Sequence, residues 1–379
     1  MNVLHIFSND RFVSVIDDVF DRLSGVANRY RLIYPRPDHA MPPRSGLGQE
    51  VGYRYLLSSE KQDDFKWADC LLVHGLSVAS APLVLGSRRG LVKVWSGWGA
   101  DYYRLFPAGL DSVYGAKTRE LVAELDGRRS FAFLRAARRA IEEQFLLAPA
   151  ARRFHIFSAP VPQDYLALRA AFGDRAPPNY AQINYVTAED SFAAQAEAPT
   201  SDDILVGNSA SPTNNHLEVL EILANLQLGH RRVVVPLSYG RSDYREAIVA
   251  AGERLLGENF IPIVKYMPLE HYRALLGRCS IAIMNHYRQQ AVGNIGALIY
   301  SGAKVFMDQR STVYQFLRER GAAVFTIEQI QREGIARAFE PLKASQVATN
   351  HKVLEEFWSR KKVFENAELL IDAIRRQLG

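Results

Sequence analysis

Short apolar runs recur along the whole chain and alternate with segments whose apolar residues are three or four positions apart. Each run suits a buried strand, and each spaced segment suits a helix packed on one side. Strands that alternate with helices in this way predict parallel βαβ units and an α/β fold. In the first half of the chain, strands are predicted at 3–7, 31–34, 70–73, 91–95 and 154–157.

The pattern restarts in the second half, after a polar stretch of small residues at 188–203. Because this stretch is poor in strand formers, we interpret it as a linker. The predicted strands that follow are 204–206, 232–235, 261–264, 281–284, 304–307 and 324–325. The predicted organisation is therefore an N-terminal domain over 1–187, the linker, a C-terminal domain over 204–345, and closing helices over 346–379 that can pack back on the first domain.

Composition and charge narrow the class of protein. The chain has 379 residues, 48% of them apolar and 23% charged, which is enough for two cores. A formal net charge of +5 is compatible with a phosphate-bearing ligand or an anionic membrane surface, and diagnoses neither. Cys70 and Cys279 lie beside apolar runs, so buried free thiols and a reducing compartment are predicted.

Several sequence features that are absent exclude or disfavour particular classes of function. No apolar run reaches the ~18–20 residues of a spanning helix, and the N-terminal segment lacks the features of a secretion signal, so any membrane contact is predicted to be peripheral. The turn Ser8-Asn9-Asp10 after the first strand lacks G-x-G-x-x-G, which disfavours a nicotinamide or flavin oxidoreductase. Dispersed basic residues disfavour nucleic-acid binding.

The stretch 279–307 carries the strongest candidate chemistry. It reads as a strand, a polar loop with Arg288, Gln289 and Gln290, and a helix that opens at Gly293-Asn294. Free N–H groups and the helix dipole make such a start a ready anion site, and Arg288 can add a forked contact to a phosphate. The alternative is an ordinary strand-to-helix turn with a surface arginine.

A second polar loop, Gly207-Asn208-Ser209, follows the first strand of the C-terminal half. If both strands are parallel in one sheet, the two loops emerge at the same edge and can together hold a diphosphate, whose departing charge they would stabilise. Turn chemistry is the alternative role for Asn208 and Ser209. No D-x-D motif and no zinc-site spacing occur, so no metal is expected.

In the N-terminal half, His74 and the loop 97–103 follow predicted strands, where the ligand crevice of a parallel sheet lies. Asp101 is the first candidate for the acceptor hydroxyl proton, and a helix cap is its alternative role. His74 is the second candidate, or a satisfied buried histidine. The aromatic side chains of this loop either face acceptor sugars or pack in the core; they are Trp98, Tyr102 and Tyr103.

The segment 128–145 interleaves five arginines with aromatic and aliphatic residues, several of them three or four apart. This pattern fits an interfacial helix on anionic lipid. It equally fits a core helix with a solvated basic edge.

Together these motifs resemble a known family. They are Val206-Gly207-Asn208-Ser209 with Asn215-His216, 233–236 with Tyr239, 272–276, Arg288-Gln289-Gln290 with Gly293, and Trp98-Gly99-Ala100-Asp101. The chain resembles the bacterial 4-alpha-L-fucosyltransferases. These transferases move 4-acetamido-4,6-dideoxygalactose from dTDP to an undecaprenyl-diphosphate disaccharide in enterobacterial common antigen assembly.

The resemblance implies a GT-B fold, with two Rossmann-like domains facing across a cleft. It implies that the C-terminal domain takes the nucleotide sugar and the N-terminal domain the acceptor. It also implies metal-independent transfer, no cofactor, and a peripheral place at the cytoplasmic face of the inner membrane. The donor contacts assigned on this basis are Gly207, Asn208, Ser209, Tyr239, Tyr266, Arg288, Gln289, Gln290, Gly293, Asn294 and Ile295.

The chain departs from the wider GT-B pattern after the second loop. Many donor domains hold the ribose hydroxyls with a glutamate there, whereas residues 297–300 read Ala-Leu-Ile-Tyr. A 2′-deoxyribose needs no such clamp, which fits dTDP. Pro212-Thr213 also differs from the family pattern, so the donor sugar stays open, as do the stereochemical outcome and the oligomeric state. The alternatives are a transferase or epimerase with another nucleotide sugar, or a non-catalytic nucleotide-binding protein of a polysaccharide operon.

Overall fold

The structure is a computed structural model that describes residues 1–8, 12–33, 47–129, 131–193 and 198–379. Four sequence-based predictions fall partly outside these residues. They are the turn at 8–10 beyond Ser8, the end of the strand at 31–34, residue 130 of the segment 128–145, and the central part of the linker at 194–197.

The chain forms two compact units, and each contains one parallel sheet. The first unit consists of residues 1–107, 133–186 and 360–379. Its strand order is β3-β2-β1-β4-β5-β6-β7, and its strands are β1 (Asn2–Phe7), β2 (Ala27–Ile33), β3 (Gln49–Val51), β4 (Cys70–His74), β5 (Val92–Ser96), β6 (Ile156–Ser158) and β7 (Asn179–Tyr180). Its helices are α1 (Val13–Phe20), α2 (Ser59–Trp67), α3 (Ala81–Gly86), α4 (Ala100–Tyr103), α6 (Ala132–Glu142, at the boundary), α7 (Ala148–Ala151), α8 (Pro162–Phe172) and α16 (Arg360–Leu378).

The second unit consists of residues 108–132 and 187–359. Its strand order is β10-β9-β8-β11-β12-β13, and its strands are β8 (Ser201–Val206), β9 (Val233–Pro236), β10 (Phe260–Ile263), β11 (Cys279–Met284), β12 (Lys304–Met307) and β13 (Phe325–Thr326). Its helices are α5 (Ala116–Gly127), α9 (His216–Ala224), α10 (Ser242–Leu256), α11 (Leu269–Leu276), α12 (Val292–Tyr300), α13 (Thr312–Glu319), α14 (Ile327–Ala338) and α15 (Ala344–Trp358).

The strands follow from continuous apolar runs, because strands covered by helices on both faces are buried on both faces. Every residue of β4, β5 and β9 is buried. Each sheet has its own hydrophobic core, built around Phe7 and Phe20 in the first unit and around Tyr244 and Phe306 in the second. The predicted α/β class with two parallel sheets is confirmed.

The short edge strands β3 and β7 were not predicted, since three and two residues carry too little pattern. The predicted buried thiols are confirmed, because Cys70 and Cys279 are both buried and free. In the described part of the chain, no helix is long and apolar enough to cross a membrane.

The division into units differs from the predicted domain boundaries. Residues 108–132, predicted within the first domain, belong to the second unit. There α5 packs beside α9: the Thr118 N–H donates to Glu218 Oε1 at 2.9 Å and the Thr118 hydroxyl to Glu218 Oε2 at 2.7 Å. Gly115 lies so close to Glu218 that a β-carbon would fall 2.1 Å from Oε1.

The predicted linker is in part a packed element. Residues Ala188–Phe192 form one turn of π-helix, and Phe192 is fully buried. Its ring lies against α12, where a β-carbon on Gly296 would meet it at 2.4 Å, and against Trp358 at 5.9 Å between centroids. The small polar composition of 188–203 concealed this one aromatic anchor.

Candidate functional site

The two polar loops of the second unit emerge at one edge of its sheet. The preceding strands, β8 and β11, are parallel neighbours at the point where the strand order reverses. In doubly wound sheets, ligands bind in the crevice at that reversal, beyond the carboxyl ends of the strands. The loop after β8 covers residues 207–215, and the loop after β11 covers residues 285–291.

The first loop depends on a glycine and a buried asparagine. Gly207 has a positive φ of 68°, and a β-carbon there would lie 2.7 Å from Asn214 Oδ1 and 2.8 Å from His216 Nε2. Asn214 is fully buried. Its Oδ1 accepts from the Asn208 N–H at 2.9 Å, and its Nδ2 donates to the carbonyls of Ser209 and Ser211, each at 3.0 Å. Asn214 therefore fixes the backbone that presents Asn208 and Ser209.

Hydrogen bonds join the two loops directly. Gln290 Nε2 donates to Asn208 Oδ1 at 3.0 Å, and the Thr213 hydroxyl donates to Gln290 Oε1 at 2.6 Å. Asn208 Nδ2 in turn donates to the Tyr239 hydroxyl at 3.0 Å. The structure thus brings together Asn208, Gln290 and Tyr239, which lie 31 to 82 positions apart in the chain.

Arg288 places its guanidinium between the loops. Its side chain is largely buried; Nη1 donates to the Gln289 carbonyl at 2.6 Å and Nη2 donates to the Thr213 hydroxyl at 3.4 Å. Gln289 and Ser209 are buried as well. The guanidinium therefore brings a positive charge to the edge shared by the two loops, and hydrogen bonds from a charged donor to an anion are the stronger ones.

The second loop ends in the first turn of α12. Ala291 has a positive φ of 57°, which is unusual for a residue with a side chain and turns the chain sharply into the helix. The N–H groups at the start of a helix lack intrahelical partners and carry the positive end of its dipole. These are the groups of Val292, Gly293 and Asn294. Ile295 already donates its N–H to the Ala291 carbonyl at 2.9 Å.

The side chains of two predicted donor contacts in α12 have other packing or hydrogen-bond partners. The Ile295 side chain is buried, so it packs in the core instead of lining the loop edge. Asn294 Nδ2 donates to the Tyr272 hydroxyl at 2.9 Å, which fixes α12 to α11. Tyr266, another of the predicted donor contacts, is 73% exposed.

Burial keeps the histidines of this edge neutral. Burial lowers the pKa of His216 to about 3, and burial followed by the nearby Arg288 charge lowers the pKa of His286. His286 Nε2 donates to Asn214 Oδ1 at 2.9 Å and so supports the first loop. The positive charge of the edge therefore comes from Arg288 and the start of α12, not from imidazolium.

The N-terminal candidates occupy buried positions. Asp101 Oδ2 accepts from the Leu76 N–H at 3.0 Å and from Trp95 Nε1 at 2.7 Å, and Oδ1 accepts from the Trp98 N–H at 2.8 Å. The residue is 8% exposed, and burial raises the pKa of its carboxyl against these hydrogen bonds. Asp101 is therefore an anchor of the loop 97–99, and its role as the proton acceptor stays a prediction.

His74 is likewise part of the core. It is fully buried, its ring stacks on Phe7 at 3.8 Å between centroids, and it bonds to His5 at 3.1 Å and to the Tyr185 hydroxyl at 2.8 Å. Burial, followed by the neighbouring His5, lowers its pKa. This is the satisfied buried histidine that the sequence offered as its alternative role.

The aromatic residues of the same loop divide into two groups. Tyr102 and Tyr103 are buried, at 0% and 6% exposure, so they pack in the core instead of presenting faces to a sugar. Trp98 is half-buried beside Phe12 and Tyr185. Of the predicted acceptor contacts, only Trp98 keeps a partly accessible ring.

Among the described residues, no group of three or more histidine, cysteine, aspartate or glutamate side chains is arranged to hold a metal ion. Metal-independent chemistry stays an expectation. The arrangement at the edge of the second sheet is that of an anion site: one buried guanidinium, a helix start and a set of fixed amides.

Comparison with known proteins finds a family match over just under half of the chain. Residues 176–360 match the model of glycosyl transferase group 56, described as 4-alpha-L-fucosyltransferase. This match contains both polar loops, and it confirms the resemblance predicted from the sequence.

Solved structures give the fold. The chain is similar to a lipopolysaccharide outer core galactosyltransferase, WaaB (9% identity, TM-score 0.60, 98% of this chain and 99% of that one). It is also similar to HepE of Anabaena in complex with UDP and glucose (12%, 0.62, 98% and 100%). A third similar structure is the sucrose-phosphate synthase of Thermosynechococcus elongatus (11%, 0.64, 99% and 99%). The predicted GT-B fold is confirmed.

Proposed function

We propose, from the premise that this chain is a GT-B glycosyltransferase with a 4-alpha-L-fucosyltransferase segment, that its donor is a dTDP-linked deoxy-amino sugar such as 4-acetamido-4,6-dideoxygalactose. The acceptor is a lipid-diphosphate-linked oligosaccharide of bacterial surface polysaccharide assembly, of the enterobacterial common antigen type. The reaction takes place at the cytoplasmic face of the inner membrane and uses no metal ion.

One observation carries the proposal: the hydrogen bond of 3.0 Å from Gln290 to Asn208, which joins two loops at the reversal point of the second sheet. Around this bond lie Arg288 and the start of α12. The leaving group of a nucleotide sugar is a diphosphate on which negative charge develops. Fixed donors aimed at developing charge typically supply a few kcal/mol each.

The residues of this edge have distinct tasks. Arg288 and the first N–H groups of α12 stabilise the diphosphate, and a forked guanidinium suits two phosphate oxygens. Asn208 and Ser209 line the approach, with Tyr239 bonded to Asn208 at 3.0 Å. Asn214 touches no substrate; it is a positioning residue that holds the loop backbone in place before binding, which reduces the entropic cost of reaching the transition state.

The residues of α12 favour a donor that contains a deoxyribonucleotide. Ala297, Leu298 and Ile299 are buried, and the Tyr300 hydroxyl donates to Glu355 at 2.8 Å. No carboxylate stands on this turn of the helix to accept the two hydroxyls of a ribose. A donor with 2′-deoxyribose loses nothing by that absence, because it lacks one of the two hydroxyls.

The decisive experiment separates binding from transfer. The purified full chain is screened by thermal shift against dTDP, UDP and GDP, and then incubated with the corresponding sugars, a lipid-diphosphate acceptor and EDTA. We expect the largest shift with dTDP, and dTDP release that requires acceptor and survives EDTA. Preference for UDP or GDP would overturn the donor, turnover without acceptor would indicate an epimerase, and dTDP binding without turnover would indicate a non-catalytic protein.

A further inference from the structure

Helix α6 reverses the usual arrangement of an amphipathic helix, because its large apolar residues are exposed. Phe133, Leu134, Ile141 and Phe145 are 82%, 60%, 57% and 67% exposed. A surface helix ordinarily turns such residues toward the core. The core-helix interpretation of the segment 128–145 is therefore wrong for these side chains.

The exposed apolar residues share one side of the helix. Phe133, Ala137, Ile141 and Phe145 are spaced four apart, and Leu134 lies seven residues before Ile141, which places them on a common face. The last of them lies in the turn of π-helix Glu143–Leu147 that continues α6. This spacing makes the exposed residues one continuous patch, which we call the α6 face.

The helix is attached to the first unit at its carboxyl end. Leu147 is fully buried, and Glu143 accepts from Arg104 Nη2 at 3.0 Å. This attachment leaves the α6 face outward on a fixed support. An exposed apolar face on an anchored helix needs a covering surface, since isolated apolar residues are common but contiguous apolar patches mark interaction sites.

The charges near the α6 face indicate the kind of surface that covers it. Arg135, Arg138 and Arg139 are all exposed on α6, against the single acid Glu142, which accepts from Arg138 at 2.7 Å. Glu142, and more weakly the nearby Tyr53, raise the pKa of Arg138, so it stays charged. Arginines beside exposed aromatic residues complement anionic headgroups above an acyl layer.

The neighbouring turn Tyr53–Leu57 extends the apolar area. Tyr53, which interacts with Arg138, is 43% exposed, and Leu57 is 91% exposed. Arg54 in the same turn adds one more basic residue. Two separate segments of the first unit therefore present the same combination of exposed apolar and basic side chains.

We infer that the α6 face docks on an anionic bilayer, inserting Phe133, Ile141 and Phe145 at the headgroup boundary with Arg135 and Arg139 against lipid phosphates. This inference deepens the proposed function, since a lipid-linked acceptor is presented at such a surface, but the docking itself requires no activity. The proposed contact is interfacial, because it involves only side chains at the headgroup boundary.

The test uses the full chain and vesicles of two compositions, phosphatidylcholine alone and phosphatidylcholine with phosphatidylglycerol. We expect co-sedimentation with the anionic vesicles that weakens as salt is added. Phe133→Ser with Phe145→Ser, and separately Arg135→Glu with Arg139→Glu, should each weaken binding about ten-fold or more. Because all four residues are exposed, thermal unfolding should be unchanged.

Matched controls lie on α16 of the same unit. Leu369 is 57% exposed and Arg376 is exposed, so Leu369→Ser and Arg376→Glu repeat the chemistry away from the α6 face. Both should bind vesicles as the native chain does. Equal loss in these controls, or undiminished binding of the α6 variants, would overturn the inference.

Two further readouts keep the outcomes separate. Size-exclusion chromatography with light scattering tests a second copy as occupant: a dimer lost in the Phe133→Ser, Phe145→Ser variant, with no vesicle binding, would overturn the lipid surface. Transfer to a water-soluble acceptor analogue should be unchanged in the α6 variants. Failure of that transfer in the native chain would count against the proposed function and leave the docking result standing.

Discussion

The two sheets share one winding order and differ in what fills the edge at the reversal point. In the second unit, this edge carries two polar loops joined by the bond from Gln290 to Asn208. In the first unit, the described residues at the corresponding strand ends pack on each other, with Phe7 stacked on His74. A Rossmann-like topology offers a crevice, but the residues after the strands decide whether it binds a ligand or becomes core.

Buried charged residues have different surroundings at the two edges. Asp101 has three donors fixed on its carboxylate, so its charge stabilises a turn. Arg288 donates to the Gln289 carbonyl and to the Thr213 hydroxyl, so its positive charge lies between the two polar loops. A buried charged residue therefore either anchors a turn or lies at a candidate binding edge, depending on the loop that surrounds it.

The largest loss of activity is expected from a substitution that displaces the first polar loop of the second unit. Gly207→Ala should lower transfer by about a hundred-fold or more, because the new methyl group would displace Asn214 and with it the loop. Activity and dTDP binding are measured together. Gly229→Ala is the control: its φ of 61° imposes similar strain, but nothing lies within 4 Å of the added carbon. Equal effects of the two changes would remove the loop from the site.

Removing the positive charge of Arg288 from the same edge should lower transfer activity somewhat less. Arg288→Ala should lower transfer roughly 10- to 100-fold with little change in thermal stability, since one donor to the leaving group is lost. Arg288→Lys should recover only part, because it keeps the charge and loses the fork. Arg278→Ala, at the opposite end of β11, should transfer normally. A fully active Arg288→Ala variant would contradict the diphosphate role.

The packed strand ends of the first unit predict a loss of stability instead of activity. In Asp101→Asn, the new NH2 group must face either the Leu76 or the Trp98 N–H, whichever way the amide is oriented. We expect a destabilisation of about 1–3 kcal/mol by urea unfolding, with near-normal activity of the folded protein. The exposed Asp174→Asn is the control. A stable but inactive Asp101→Asn variant would identify Asp101 as the base.

The smallest expected effect is the pH dependence of the same packed strand ends. Burial lowers the pKa of His5 to about 3, and burial with the His5 neighbour lowers that of His74. The pKa of a histidine in the unfolded chain is ~6.5. Below that pH the unfolded chain therefore binds protons that the folded chain does not bind. The free energy of unfolding should fall from pH 7 to 5, by at most about 1.4 kcal/mol per pH unit for each histidine.

The variant His5→Gln checks the origin of this slope. Urea unfolding at several pH values between 5 and 7 should show that the free energy of unfolding depends less steeply on pH than in the native chain. The reason is that one of the buried histidines with a lowered pKa has been removed. An identical slope would assign the effect to other buried histidines such as His216 or His286.

The candidate site was predictable from the sequence where its signals are local. Apolar runs gave β8 and β11, and the small residues after them predicted Asn208, Gln290 and Arg288 at one edge. Shortly after α12 ends, Gly302 adopts a left-handed conformation with φ of 86°, as a glycine beyond a helix end commonly does. These features depend on neighbours within a few positions, so a pattern of residue types is sufficient to reveal them.

Other roles were invisible until the chain was folded. Asn214 reads as one polar residue among several, but its side chain bonds across the loop and to His286, 72 positions away. Asp101 has the sequence context of a catalytic acid and the surroundings of a structural one. Which partners surround a buried polar group depends on contacts between distant segments, and no local pattern encodes those contacts.

The sequence by itself determined the alternation of strands and helices, the two parallel sheets and the residue types at each strand end, because burial and backbone conformation follow short-range periodicity. Only the tertiary structure decided which strand end became a binding edge, that residues 108–132 joined the second unit, and that the apolar residues of α6 faced outward. Those outcomes arise from the competition of distant segments for the same buried surface, which is settled only when the whole chain packs.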